Sequence, residues 1–144
     1  MPFSRADHET IILQGKAAID LIVVEKETLV RVGYLHVGGL LLESKEQEWT
    51  HVVVEKKGCG YGHETMRLLK AWAFDVCGAH RAWLDCKDYN ARALHLYESE
   101  GMVREALIRE TLLHKGVYEN LVVLGILDRE YCARKRAGLE LEGI

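Results

Sequence analysis

Apolar residues recur along this chain with two different spacings, and the order in which those spacings alternate predicts the architecture. Residues 18–25 and 29–42 are rich in Val, Ile and Leu and read as strands, with Glu27-Thr28 as the turn between them. Gly38-Gly39 interrupts the second run and predicts a bulge. A polar break over residues 43–47 precedes a third strand, Thr50-His51-Val52-Val53-Val54, that ends at Glu55. The period then changes: Met66, Leu69, Ala73 and Val76 recur at helical spacing, and Gly78 follows as a stop signal. After a β-rich run at residues 81–86, Asn90 opens a second helix over 91–99, with Ala93, Leu94 and Tyr97 along one face and Gly101 beyond its end. Strands at 102–113 and 117–127 flank His114-Lys115-Gly116, where Gly116 can take the positive φ of a three-residue hairpin loop. Residues up to Gly15 have weak periodicity and predict a short helix or irregular entry. The charged, glycine-punctuated tail from Cys132 to Ile144 predicts a short helix that frays.

A strand–helix–strand unit around residues 50–86 demands a parallel pair, whereas the hairpins demand antiparallel ones. The expected fold is therefore α+β: a central mixed, mostly antiparallel sheet flanked by helices. At 144 residues the chain is expected to form one domain, residues 1–144. Hydrophobic residues at 49% and charged residues at 28% fit a globular chain and exclude a disordered one. The apolar runs are too short to span a membrane, and no signal-like segment opens the chain, so a cytoplasmic protein without a membrane partner is expected. A formal charge of -3 implies no nucleic-acid surface. The four cysteines, Cys59, Cys77, Cys86 and Cys132, form no C-x-x-C pair and read as reduced thiols, with no metal site expected.

Chemistry concentrates at Gly58-Cys59-Gly60-Tyr61-Gly62, which joins the third strand to the first helix. Alternate glycines there expose successive backbone N–H groups at a helix N-terminus, where the peptide dipoles also favour negative charge, so the turn suits a pyrophosphate. The dinucleotide pattern G-x-G-x-x-G fails in either register, and no Gly-Lys-Ser/Thr follows as a P-loop needs. What remains is Lys57-x-x-Gly60-x-Gly62. This resembles the acyl-CoA pyrophosphate loop, Q/R-x-x-G-x-G/A, of the GNAT N-acetyltransferases. The run from Asn90 through Ala93 and Tyr97 to Gly101-Met102 is similar to that family's second signature, N-x-x-A-x-x-x-Y-x-x-x-G-F, with Met102 in place of Phe. Residues 103–131 are similar to the closing hairpin of the branch that holds ribosomal-protein and spermidine or diamine acetyltransferases.

The resemblance implies a GNAT fold and transfer of an acetyl group from acetyl-CoA to a primary amine, either a protein N-terminus or a small amine or polyamine, by direct attack in a ternary complex. It implies that Lys57, Gly58, Cys59, Gly60, Tyr61, Gly62 and His63 hold the cofactor and that the backbone of Val52 and Val54 pairs with the pantetheine arm. It implies Tyr97 as the proton donor to the departing thiolate. Asn90 is implied to bind CoA or a structured water, although an asparagine cap accounts for it equally. Relatives carry a glutamate on the strand before the loop as general base; the ungapped position here is Gln47, and Glu48 matches with a shift of one residue. Glu48 ranks ahead of His51, and strand alternation puts the two on opposite faces unless a bulge intervenes. Cys59 is read as a small side chain in a tight turn rather than a nucleophile. Relatives also carry a strand and two helices before the first hairpin, for which the residues before Ile19 are too few, so an N-terminally shortened member is expected, with the acceptor site open or completed by a second copy in a homodimer. Two other readings stay open: a non-catalytic acyl-CoA-binding protein, and a nucleotide-dependent oxidoreductase using Asp85.

Overall fold

The computed structural model of the chain describes residues 18–54 and 60–142, and of residues 51–54 the backbone. Six strands form one mixed sheet in the order β1-β2-β3-β4-β6-β5: β1 Ile19–Val24, β2 Arg31–Gly38, β3 Glu46–Val54, β4 Arg81–Lys87, β5 Val103–His114 and β6 Val117–Leu127. Only β3 and β4 run parallel, and the connection between them is α1 (Tyr61–Ala71), continued by a π-helical turn at Trp72–Val76. Helix α2 (Ala91–Ser99) links β4 to the β5–β6 hairpin, and α3 (Asp128–Arg136) follows β6.

Period-two alternation decides which strand residues reach the core. Val37 lies opposite Trp49, Ala82 opposite Ile126, and Leu84 opposite Leu124, and all of these are buried. Met66 and Leu69 of α1, Leu94 and Tyr97 of α2, and Tyr131 of α3 close over them in one apolar cluster. All three described helices therefore pack on the same face of the sheet, rather than being divided between its faces. The second face presents the alternate residues, among them Tyr34, His36, Glu48, Trp83 and Asp85.

Several local expectations change. Strand β2 stops at Gly38, and Gly39, at φ 78, opens a turn closed by Leu42 N–H to its carbonyl at 3.0 Å. A Cβ at Gly39 would come within 2.5 Å of the Glu46 carbonyl oxygen, so those glycines serve a turn and not a bulge. The bulge falls in β3 instead: Tyr34 pairs with Val53 but His36 with Thr50, which leaves one extra residue between them. The hairpin between β5 and β6 is a two-residue turn, because His114 pairs with Val117 and both Lys115 and Gly116 have positive φ. The predicted N-terminal entry lies outside the described residues.

The tail departs most from expectation. Glu140 is buried and receives Lys70 Nζ at 2.6 Å and Arg134 Nε at 2.6 Å. Lys70, on the buried side of α1, also donates to the Glu100 carbonyl at 2.7 Å and approaches its carboxylate at 3.3 Å. A lysine within the core face of a helix is tolerated here because two buried carboxylates surround it. The polar tail is fixed in place by charge.

Candidate active site

The sheet divides where β3 and β4 part. Their parallel pairing covers Glu46 with Arg81, Gln47 with Ala82 and Glu48 with Trp83, and then ends. Beyond it β3 stays bonded to β2 as far as Gly33 with Val54, while β4 stays bonded to β6 as far as Lys87 with Leu121. Residues 49–54 and 84–87 thus turn main-chain edges toward a cleft instead of toward each other, and such edges can bond an extended ligand as they would a strand. The β3 bulge, with its added local twist, lies along that cleft.

At the open end of the cleft begins α1. Gly60, at φ 75, is its N-cap, and the first intrahelical bond is Glu64 N–H to the Gly60 carbonyl at 3.2 Å. The amides of Tyr61, Gly62 and His63 precede that bond and carry the positive end of the helix dipole. Glycine is needed at 60 for its backbone sign, and a Cβ there would meet nothing within 4 Å. Gly62 has another reason: a Cβ would lie 3.1 Å from Leu96 Cδ2, so the glycine lets α1 approach α2. Lys57, Gly58 and Cys59 lie outside the described residues, as do the side chains of His51, Val52 and Val54. The Tyr61 hydroxyl is bonded to Glu25. A neighbouring cavity of about 350 Å³ is lined, among the described residues, by Glu25, Lys26, Glu27, Tyr61 and Glu64.

His63 is held from behind. Its Nδ1 lies 2.9 Å from Glu100 Oε2, and Arg67 Nε donates to Glu100 Oε1 at 3.1 Å. Burial pushes the Glu100 carboxyl up, but the bonds from His63, Arg67 and Lys70 outweigh it and hold the group below its usual range. Nothing in the residue pattern marks Glu100 for this work, since it sits at the C-cap of α2 and reaches α1 only through tertiary packing.

Tyr97 is buried at 6% exposure in the core under the cleft. Burial, followed by the charges of Cys86 and Asp85, pushes its phenol up to about 12, so it is neutral at physiological pH. Both neighbours belong to the part of β4 that has left β3, which sets Tyr97 against the cleft wall. Glu48, half-buried, stands on the second face at the last paired position before the strands separate. Asn90 caps α2, its Oδ1 accepting from Ala93 N–H at 3.2 Å. On the same face as Glu48, Asp20 Oδ1 receives Tyr34 OH at 2.7 Å and lies 2.5 Å from His36 Nδ1. Sequence reading passed over this group; strand alternation, which puts Tyr34 and His36 on one face, was the available signal. Among the described residues no cluster could hold a metal ion, and no helix is long and apolar enough to cross a membrane.

The sequence profile of the acetyltransferase (GNAT) family matches residues 15–102, which hold the cleft, the glycine turn and Tyr97. The chain belongs to that family. Its fold agrees: a structure of mutant forms of the spermidine/spermine N-acetyltransferase from Vibrio cholerae superposes with a TM-score of 0.79 at 21% identity, covering 90% of this chain and 77% of that one. The dodecameric structure of spermidine N-acetyltransferase from the same organism gives 0.78 at 21% identity, over 90% and 75%. In sequence, the chain is similar to the spermidine N(1)-acetyltransferase of Vibrio cholerae serotype O1, 24% identical over 107 residues, or 74% of this chain. It spans 57% of the length of that relative.

Proposed function

We propose that residues 1–144 act as an acetyl-CoA-dependent N-acetyltransferase whose acceptor is a primary amine, with polyamines the first class to test. The observation that carries the reading is the cleft between β3 and β4, which opens at Glu48 and Trp83 and ends at the α1 N-terminus in a chain of the GNAT family. In this reading the pantetheine arm adds to the freed edge of β3 at Val52 and Val54, and the pyrophosphate rests on the amides of residues 57–63. His63 faces the phosphates with Glu100 behind it. The similarity to a spermidine N(1)-acetyltransferase, together with the second-face carboxylates Asp20, Glu48 and Asp85, favours a cationic acceptor drawn to the apex of the cleft.

Chemically, Glu48 attracts the ammonium and helps to remove its proton, and the neutral amine attacks the thioester carbon. Tyr97 meets the departing sulfur. A phenol near 12 beside a simple thiol near 8.5 makes full proton transfer uphill by roughly three orders of magnitude, so Tyr97 acts by donating a hydrogen bond as the C–S bond breaks. Strand β5 is exposed along its whole length, with Leu107, Leu113 and the facing Tyr118 at 56%, 64% and 62%. A second copy of the chain covers this edge in the homodimer we infer. The protein works in the cytoplasm, where acetyl-CoA is supplied.

The test is release of free thiol from acetyl-CoA in the presence of spermidine, spermine, a diamine or a peptide with a free α-amino group, alongside a mass measurement of the native assembly. Turnover with a polyamine supports the reading. Binding of CoA with no turnover for any amine would favour a non-catalytic acyl-CoA-binding protein instead.

A further inference from the structure

Three oddities of the sheet share one cause. Gly125 stands within the apolar strand β6, where a glycine often marks the close approach of another group. Glu105 is the extra residue of a bulge in β5, since Arg104 pairs with Leu124 and Ala106 with Val123. The charged side chain of Arg81, at the start of β4, is only 25% exposed. All three meet in one contact on the second face of the sheet. Arg81 Nη1 donates to Glu105 Oε2 at 2.7 Å and Nη2 lies 2.5 Å from Oε1, a fork that matches the carboxylate. Because β6 lies between β4 and β5, this pair spans β6, and a Cβ at Gly125 would come within 2.5 Å of both Arg81 Nη1 and Glu105 Oε1.

The same guanidinium stands at the closed end of the cleft. Arg81 is the register partner of Glu46 on β3, and its Nε lies 3.5 Å from Glu46 Oε1. From that pair β3 and β4 stay together only as far as Glu48 and Trp83. So short a parallel joint carries few ladder bonds, and Arg81 ties it across β6 to β5. Trp83 follows two residues later on the same face, opposite both Glu48 and Gly125. In the acetyl-transfer reading the groups that act on the thioester come from two sides, the β3 edge with Glu48 and the β4 wall with Tyr97. The angle at which the strands leave their joint sets the distance between these sides.

We propose that Arg81 is a positioning residue for acetyl transfer: its fork to Glu105, seated over Gly125, and its contact with Glu46 fix the width at which β3 and β4 part. The inference rests on the acetyl-transfer reading, in which Arg81 touches none of the reacting atoms. A lysine would supply the charge but not the fork. Reaction geometry is sensitive to such a support, since a misplacement of about 1 Å can cost roughly a hundredfold in rate. Cofactor affinity depends on it far less, because the pyrophosphate rests on the α1 N-terminus at the open end of the cleft.

The experiment compares wild type, Arg81→Gln, Gly125→Ala and the double variant, using acetyl-CoA and the amine of the panel above that wild type acetylates fastest. Assays run well below each melting temperature and record kcat, both KM values, the melting temperature and its rise with CoA. Arg81→Gln removes the fork and its charge, whereas Gly125→Ala keeps every charge and forces the fork apart with one methyl group. We expect each to lower kcat roughly tenfold to a hundredfold while the rise with CoA is kept. The double variant should lose no more than the more impaired single one, because both changes break the same contact. Wild-type kcat in either single variant overturns the proposal, even if its melting temperature falls, and so do losses that multiply in the double. If Arg81→Gln does not fold, Arg81→Lys takes its place. Wild type that binds CoA yet turns over no amine removes the acetyl-transfer reading and the role of Arg81 with it, a result distinct from an active enzyme indifferent to Arg81.

Discussion

Replacing Lys70 by Met keeps the length of the side chain and removes the charge at the centre of the α1–tail junction. Lys70 is wholly buried and makes three bonds: to the Glu100 carbonyl at 2.7 Å, the Glu100 carboxylate at 3.3 Å and the Glu140 carboxylate at 2.6 Å. After the change Glu100 keeps His63 and Arg67, but its carbonyl loses this donor, and Glu140 retains only Arg134 among these cations. Glu140 Oε1 already lacks a partner among the described residues. Removing one member of a buried ion pair costs about 3–5 kcal/mol, and the two arginines left in place argue for the lower end. For a chain of this size that is a fall of roughly 10–15 °C in melting temperature. Urea unfolding of Lys70→Met, with Lys70→Met/Glu140→Gln beside it, measures the effect. The double variant should recover at least about 1 kcal/mol, because it removes the carboxylate charge that the single change strands. A loss below about 1 kcal/mol in the single variant would refute the claim that the junction is held by this pair.

Gly60→Val should abolish the rise in melting temperature that CoA gives the wild type, because its side chain crowds the phosphate approach; its φ of 75 adds about 1–2 kcal/mol of backbone cost, so a retained CoA shift would discard the loop assignment. Tyr97→Phe keeps the packed ring and deletes the donor, lowering kcat by roughly tenfold to ten-thousandfold with CoA affinity unchanged; equal turnover when chemistry limits the rate would assign Tyr97 to packing alone. Acid should weaken the fold through Glu100. Its carboxyl is held below the unfolded value, so its stabilisation is complete above about 4.3 and disappears as pH falls through the folded value. Urea midpoints measured downward from pH 6 should fall more steeply in wild type than in Glu100→Gln, and parallel curves would contradict this.

The sequence by itself determined the elements, because period and punctuation are local properties. The second helix at 91–99 and the strand at 117–127 coincide with α2 and β6, and the strand–helix–strand order forced the one parallel pair. The glycine spacing likewise marked a helix start, and α1 begins there at Tyr61. Tertiary structure decided where the site lies and what supports it. The parting of β3 and β4 after Glu48 depends on each strand bonding a different neighbour, β2 or β6, which no local pattern encodes. The β3 bulge moved from the glycines at 38–39 to the valine-rich stretch, since a bulge reflects the register of two strands and not the flexibility of one. A polar tail read as fraying was anchored because Glu140 found Lys70 across 70 residues of chain, and His63 acquired its support from Glu100 across 37. Asp20 and His36 became one group only when β1 folded back on β2. Side chains far apart in sequence acquire a joint chemistry only through the packing that brings them together, and the residues around this cleft are joined in that way.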